Sequence, residues 1–196
     1  IDDTVLHTDA TNLLKMARNV FLNNARTRLP FEGVAAFYQA LQKGTKGAFN
    51  PLFYVTSSSW NIYDLLVDFF QVRGIPLGPL FMVDLGLTDD YFVTPSHRQH
   101  KVAQIKAVLN AYPDLPFLLV GDSGQRDPEI YLQVAQEYPG RIPAVYIRDV
   151  AGDSRDVQVN EYARAAAEVG CDLLLVKDTA AASLHATQKG YILPET

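Results

Sequence analysis

The chain has 196 residues, 48% of them hydrophobic and 20% charged, which suits one well-filled globular α/β domain better than two. A formal charge of −5 works against a large nucleic-acid interface and against broad adsorption to an anionic membrane, because both select for Lys and Arg. The single cysteine, Cys171, rules out an internal disulfide and a cysteine-built zinc site, and its setting in EVGCDLLLV predicts a packed, inert thiol.

The sequence opens on Ile1-Asp2-Asp3 rather than on Met, so an upstream segment with its own domain or targeting signal is expected. Taken alone, Asp2 and Asp3 read as a solvated terminus. Residues 10–28 carry Leu13, Leu14, Ala17, Val20, Phe21 and Ala25 at helical spacing, and residues 31–42 repeat the pattern after Pro30. Two readings stand side by side: a packed helical pair, or a small cap over a site. Residues 43–50 (KGTKGAFN) form a connector without the Gly-Lys-Ser/Thr of a nucleotide-binding loop. Continuous apolar runs at 52–56, 80–84, 117–121, 142–148 and 172–176 predict strands covered on both faces. Helices are predicted between and after them at 61–73, 97–112, 128–138, 160–169 and 179–189, with Gly74 and Gly170 as stops. Such alternation specifies an α/β fold with a doubly wound, Rossmann-like parallel sheet. No apolar run is long enough to span a bilayer, so no transmembrane segment is expected.

Beyond the chain start, three places carry candidate chemistry. Gly121-Asp122-Ser123-Gly124-Gln125-Arg126-Asp127 follows the run FLLV, and ligands in open α/β sheets bind at the carboxyl ends of strands. Asp122 and Asp127 offer hard oxygen donors for magnesium. Their plain readings are a turn residue for Asp122 and a helix cap for Asp127 ahead of Pro128. Thr56, Ser57, Ser58 and Ser59 place four hydroxyls at a strand end, a donor-rich cradle for an oxyanion, where N-capping needs only one of them. Lys101 stands near the start of a predicted helix, against the helix dipole, where most lysines simply face solvent. His97 and His100 beside it are possible phosphate or substrate contacts, but no acidic cluster at zinc-ligand spacing accompanies them.

Taken in chain order, these residues and the chain start resemble the haloacid-dehalogenase superfamily. IDDTV, preceded by one more aspartate, is similar to its first signature; Thr56 falls at the second, Lys101 at the third, and Asp122 with Asp127 at the fourth. The segments FYVTSSSWNIYDLL, GPLFMVDLGL, HKVAQIKAVLNAYPDLPFLLVGDSGQRDPEIY and PGRIPAVYIRDV further resemble the catalytic domain of the actin-patch type of phosphatidate phosphatase, a distant relation of the lipins. GDSGQRDPEIY is the most specific of these. The likeness is weaker over residues 5–50 and at the C-terminus.

The resemblance implies one haloacid-dehalogenase-like catalytic domain over residues 1–196, with 5–50 as a helical insert or cap. It implies a nucleophilic aspartate immediately before Ile1, Asp2 as general acid and base, Thr56 as phosphoryl-oxygen ligand and Lys101 as charge partner. Magnesium is implied on the missing aspartate, the Asp2 backbone carbonyl and Asp122, with Asp127 binding it directly or through another ligand. Ser57, Ser58 and Arg126 fall to substrate binding, and Arg126, Arg148, His97 and Trp60 to a head-group and interface site, although each of these four also reads as an ordinary surface or packing residue. The implied reaction is magnesium-dependent hydrolysis of a phosphate monoester, with phosphatidate in a membrane as substrate. The implied location is cytoplasmic or peripheral to a membrane. Receiver domains share an acidic pair, a Thr or Ser and a Lys, but in a different chain order. Two rivals remain: an inactive binding or regulatory module of the same fold, and a phosphatase for a soluble metabolite.

Overall fold

The computed structural model of the chain describes residues 31–45, 49–83, 97–151 and 153–194. Asp2, Asp3 and the predicted helix at 10–28 lie outside them. The chain divides into two compact units, Ile1–Gly86 with Thr179–Thr196, and Leu87–Asp178.

In the first unit, α1 (Val34–Lys43) buries Val34, Phe37, Tyr38 and Leu41, the three-and-four spacing of one helical face. Two parallel strands follow, β1 (Tyr54–Ser59) and β2 (Leu80–Val83), joined through a 3-10 turn (Trp60–Ile62) and α2 (Tyr63–Val72). Tyr54 anchors this unit. Its ring lies 4.7 Å from that of Phe70, and its hydroxyl donates to the Pro76 carbonyl at 2.6 Å. Burial pushes that phenol well above the usual tyrosine range. The last helix of the chain, α6 (Thr179–Gln188), packs against α1, and a Cβ built on Gly33 would lie 3.5 Å from Thr179 Cβ.

The second unit is a three-stranded parallel ladder in the order β3 (Leu118–Asp122), β4 (Ala144–Arg148), β5 (Asp172–Val176). It also contains α3 (His97–Ala111), α4 (Asp127–Glu137) and α5 (Asp153–Ala167). Ala144, Val145, Tyr146 and Ile147 of the central strand are all buried, without alternation, because both faces are covered. Arg141 closes the C-terminal end of α3: its guanidinium donates to the carbonyls of Leu109, Tyr112 and Leu115 at 3.2, 2.6 and 2.8 Å. Cys171 is buried ahead of β5, and burial pushes its thiol up to about 11, with Asp172 adding to the shift. The packed thiol expected from the sequence is the one found.

The fold class is the α/β, parallel, doubly wound arrangement that the alternation predicts. Several boundaries shift, and two of the shifts bear on the site. The first strand continues through the hydroxyl run to Ser59 instead of ending at Thr56. Helix α5 begins at Asp153 instead of Asn160. Among the described residues no helix is long and apolar enough to cross a membrane.

Candidate active site

Strand β3 ends in Gly121 and Asp122, and a turn at 123–126 leads directly into α4. Asp122 is 1% exposed, Asp127 3% and Lys101 7%, so three charged groups are withdrawn from water at the carboxyl end of one strand. The Lys101 ammonium pairs with Asp127 Oδ1. Asp127 Oδ2 accepts the Asp122 backbone N–H at 3.3 Å, and Asp122 Oδ1 accepts the Gln125 N–H at 3.0 Å. Removing one member of such a pair leaves a buried charge uncompensated, at a cost of about 3–5 kcal/mol.

Lys101 is buried because of where it falls on its helix. With Ile105, Val108 and Leu109 it occupies the inward stripe of α3, so its ammonium must meet an acid inside the protein. Ion pairing with Asp127 offsets its unfavourable place near a helix N-terminus. Capping does not account for Asp127. Arg126 holds the N-cap position without a side-chain bond, and Asp127 is the first helical residue, its carboxylate turned to Lys101 and Asp122. Both of its oxygens are therefore engaged. Next to Lys101, His100 has its Nε2 atom buried with no hydrogen-bond partner among the described residues.

Gly121 makes this approach possible. A Cβ there would stand 2.5 Å from Asp127 Oδ2 and 2.7 Å from Tyr131 Cε2. The Tyr131 hydroxyl in turn donates to the Val120 carbonyl at 3.0 Å.

In the first unit, Thr56 is 3% exposed and sits where the β1–β2 ladder loses register between Val55 and Ser59. Its Oγ1 accepts the Ser58 N–H at 3.1 Å and lies 3.1 Å from Ser58 Oγ. Ser59 Oγ accepts the Asn61 N–H at 3.4 Å, which supplies the single cap the following turn requires. Thr56, Ser57 and Ser58 thus occupy an irregular stretch of strand rather than a helix cap, and bulges of this kind re-aim side chains next to active sites.

Lys101, Asp122 and Asp127 are brought together, and so are Thr56 and Ser58. Arg126 is exposed, and Asp2 lies outside the described residues. Two residues of the second unit went unassigned in the sequence. The Ser123 hydroxyl accepts the N–H groups of Val150 and Ala151 at 2.9 and 3.1 Å, fixing the loop to the end of β4. Arg155 reaches the same loop from α5. Only Ser123 had a local signal, its place inside the Gly-Asp motif.

The buried Asp122 carboxylate is a hard oxygen donor of the kind that suits a small divalent cation such as magnesium, which keeps several of its waters, whereas both Asp127 oxygens are engaged by Lys101 and the Asp122 N–H. Among the described residues no group of three or more His, Cys, Asp or Glu is assembled, so Asp122 would share the ion with other oxygens.

The sequence profile of the family described as phosphatidate phosphatase APP1, catalytic domain, matches residues 1–149. The chain belongs to this family. Phosphatidate phosphatase APP1 of Saccharomyces cerevisiae is 32% identical over 158 residues, which is 80% of this chain and 26% of the yeast protein. An uncharacterized protein of Schizosaccharomyces pombe is 23% identical over 154 residues, 78% of this chain and 25% of its own length. The chain thus spans about a quarter of each of these relatives. No solved structure matches it. The family match takes in Lys101, Asp122 and Asp127 together with Thr56, and it ends before α5.

Proposed function

We propose that this chain carries the catalytic machinery of a magnesium-dependent phosphatidate phosphatase of haloacid-dehalogenase type, acting at a membrane surface. The observation that carries the reading is the buried Lys101–Asp127–Asp122 cluster at the end of β3, in a chain of the APP1 catalytic family.

In the proposed reaction, the carboxylate of an aspartate immediately before Ile1 attacks phosphorus, and the ester P–O bond breaks. Asp2 gives its proton to the departing diacylglycerol oxygen. Asp2 then takes a proton from water as that water attacks the acyl phosphate, which releases phosphate and restores the nucleophile. The Thr56 hydroxyl and neighbouring amides hold phosphoryl oxygens, with Ser57, Ser58 and Arg126 completing substrate binding. The Lys101 ammonium offsets charge on nucleophile and phosphate, and Asp127 holds that ammonium in place. Magnesium, bound through Asp122 and the Asp2 carbonyl, would neutralise the oxygens that repel an anionic nucleophile.

Support for a lipid substrate comes from the name of the yeast relative and from the surface beside Thr56. Trp60 is 48% exposed and Tyr63 40%, their rings stacked at 5.4 Å, and such amphipathic aromatics favour a lipid–water boundary.

The test is phosphate release by the full-length protein from phosphatidate vesicles and from soluble sugar and nucleotide phosphates, with magnesium and with chelator. Release from vesicles that chelator abolishes is the expected result. A preference for the soluble esters removes the lipid assignment. No magnesium-dependent release from any ester removes the enzyme and leaves a binding module.

A further inference from the structure

We propose that Arg155 is a positioning residue that locks the loop between β3 and α4 and so sets the geometry of Asp122 and Asp127. The reach of this inference into catalysis rests on the function proposed above, and the lock itself rests on geometry alone. Arg155 lies in α5, beyond the segment the family profile matches.

Its guanidinium binds three parts of the loop region at once. Nε donates to the Ser123 carbonyl at 3.2 Å, and Nη2 donates to the Gln125 carbonyl at 3.0 Å. The same Nη2 meets both carboxylate oxygens of Glu129 at 2.8 Å, in the first turn of α4. Nη1 donates to Gln158 Oε1 on its own helix. Each peptide unit is planar, so fixing the Ser123 and Gln125 carbonyls also fixes the N–H directions of Gly124 and Arg126. The Gln125 N–H, which Asp122 Oδ1 accepts, lies between those two planes. Glu129 ties the start of α4, and with it Asp127, to the same guanidinium. Lysine cannot replace this fork, because one ammonium does not span two carbonyls and a carboxylate in these directions.

The experiment compares full-length wild type with Arg155→Ala, Arg155→Lys and Glu129→Gln by amide hydrogen exchange and by kinetics on phosphatidate vesicles. In Arg155→Ala the Gln125 amide should exchange about 10-fold faster or more, while Val145 and Ile147 in β4 stay protected. The magnesium concentration for half-maximal rate should rise and kcat fall by roughly 10–100-fold, with KM for the lipid little changed. Arg155→Lys should fall close to Arg155→Ala, and Glu129→Gln between them and wild type. Loss of stability alone would reduce the active fraction and leave the magnesium dependence where it was, and that result overturns the proposal. Wild-type exchange at Gln125 in Arg155→Ala overturns it too, as does unfolding of all three variants, which would make Arg155 a determinant of the fold. A wild type without activity defeats the proposed function, and exchange at Gln125 then decides the lock by itself.

Discussion

A side chain at position 121 has nowhere to go, because Asp127 Oδ2 and Cβ and Tyr131 Cε2 all stand within 2.8 Å of where its Cβ would be. Gly121→Ala should therefore push Asp127 away from Lys101 and cost about 1–3 kcal/mol, read as a shift of the urea midpoint, with turnover falling further than stability. Asp122→Asn keeps the shape and removes the charge. It should lower turnover by about 100-fold or more and weaken magnesium activation while the circular dichroism stays native; unchanged activity would show that Asp122 is no metal ligand. Cys171 gives a pH signature separate from the site. Its thiol ionises near 9.0 when free and is pushed up to about 11 by burial, so the fold holds the neutral form. The stability this contributes is complete below pH 9, and it drains away as pH rises toward 11, where the unfolded chain loses the proton first. The gap in melting temperature between wild type and Cys171→Ala should therefore move in the mutant's favour across that window.

At the scale of elements, the continuous apolar runs of β3, β4 and β5 were legible because a strand buried on both faces has no other composition available. The two boundary shifts that bear on the site are informative. A run of Thr and Ser reads as capping chemistry, yet β1 continues through it, with Thr56 Oγ1 accepting the Ser58 N–H where the ladder loses register. The polar start of α5 reads as loop, and it is helical where Arg155 is tied to Ser123, Gln125 and Glu129. Lys101 was legible as a candidate by its place in the motif order, and its burial could have been read from the stripe it shares with Ile105, Val108 and Leu109. Arg155 could not be found this way, since nothing near it in sequence reports a partner that lies a helix and a strand away. The bulge makes a distinct prediction. Thr56→Val should remove the hydroxyl that accepts the Ser58 N–H and cut turnover by about 100-fold, while Thr56→Ser retains most of it, as measured by initial rates on phosphatidate.

For the whole molecule, local pattern gave the α/β class but not the way the last helix joins the first unit, an association between segments at opposite ends of the chain. The family match stops at residue 149, whereas the described fold does not. Beyond it come α5, β5 and α6, a stretch in which Val159, Ala166, Cys171, Leu173, Val176, Ala182, Ala186 and Ile192 are buried. Without β5, the backbone of β4 loses the partner that pairs with it from Ala144 to Arg148, and its buried Val145 and Ile147 become an exposed edge. Without α6, the inner face of α1 loses its cover around Gly33 and Thr179. Each large apolar side chain so exposed forfeits about 1.5–3 kcal/mol, so a few of them together are comparable to the roughly 5–15 kcal/mol by which a domain is stable at all. A chain cut after Val150 should therefore be unfolded or aggregated by circular dichroism and gel filtration, even though it keeps every residue of the family match. If that shortened chain instead remains monomeric and cooperatively folded, the segment beyond the match is an accessory to the fold, and its turnover then decides whether the lock formed by Arg155 belongs to the working site.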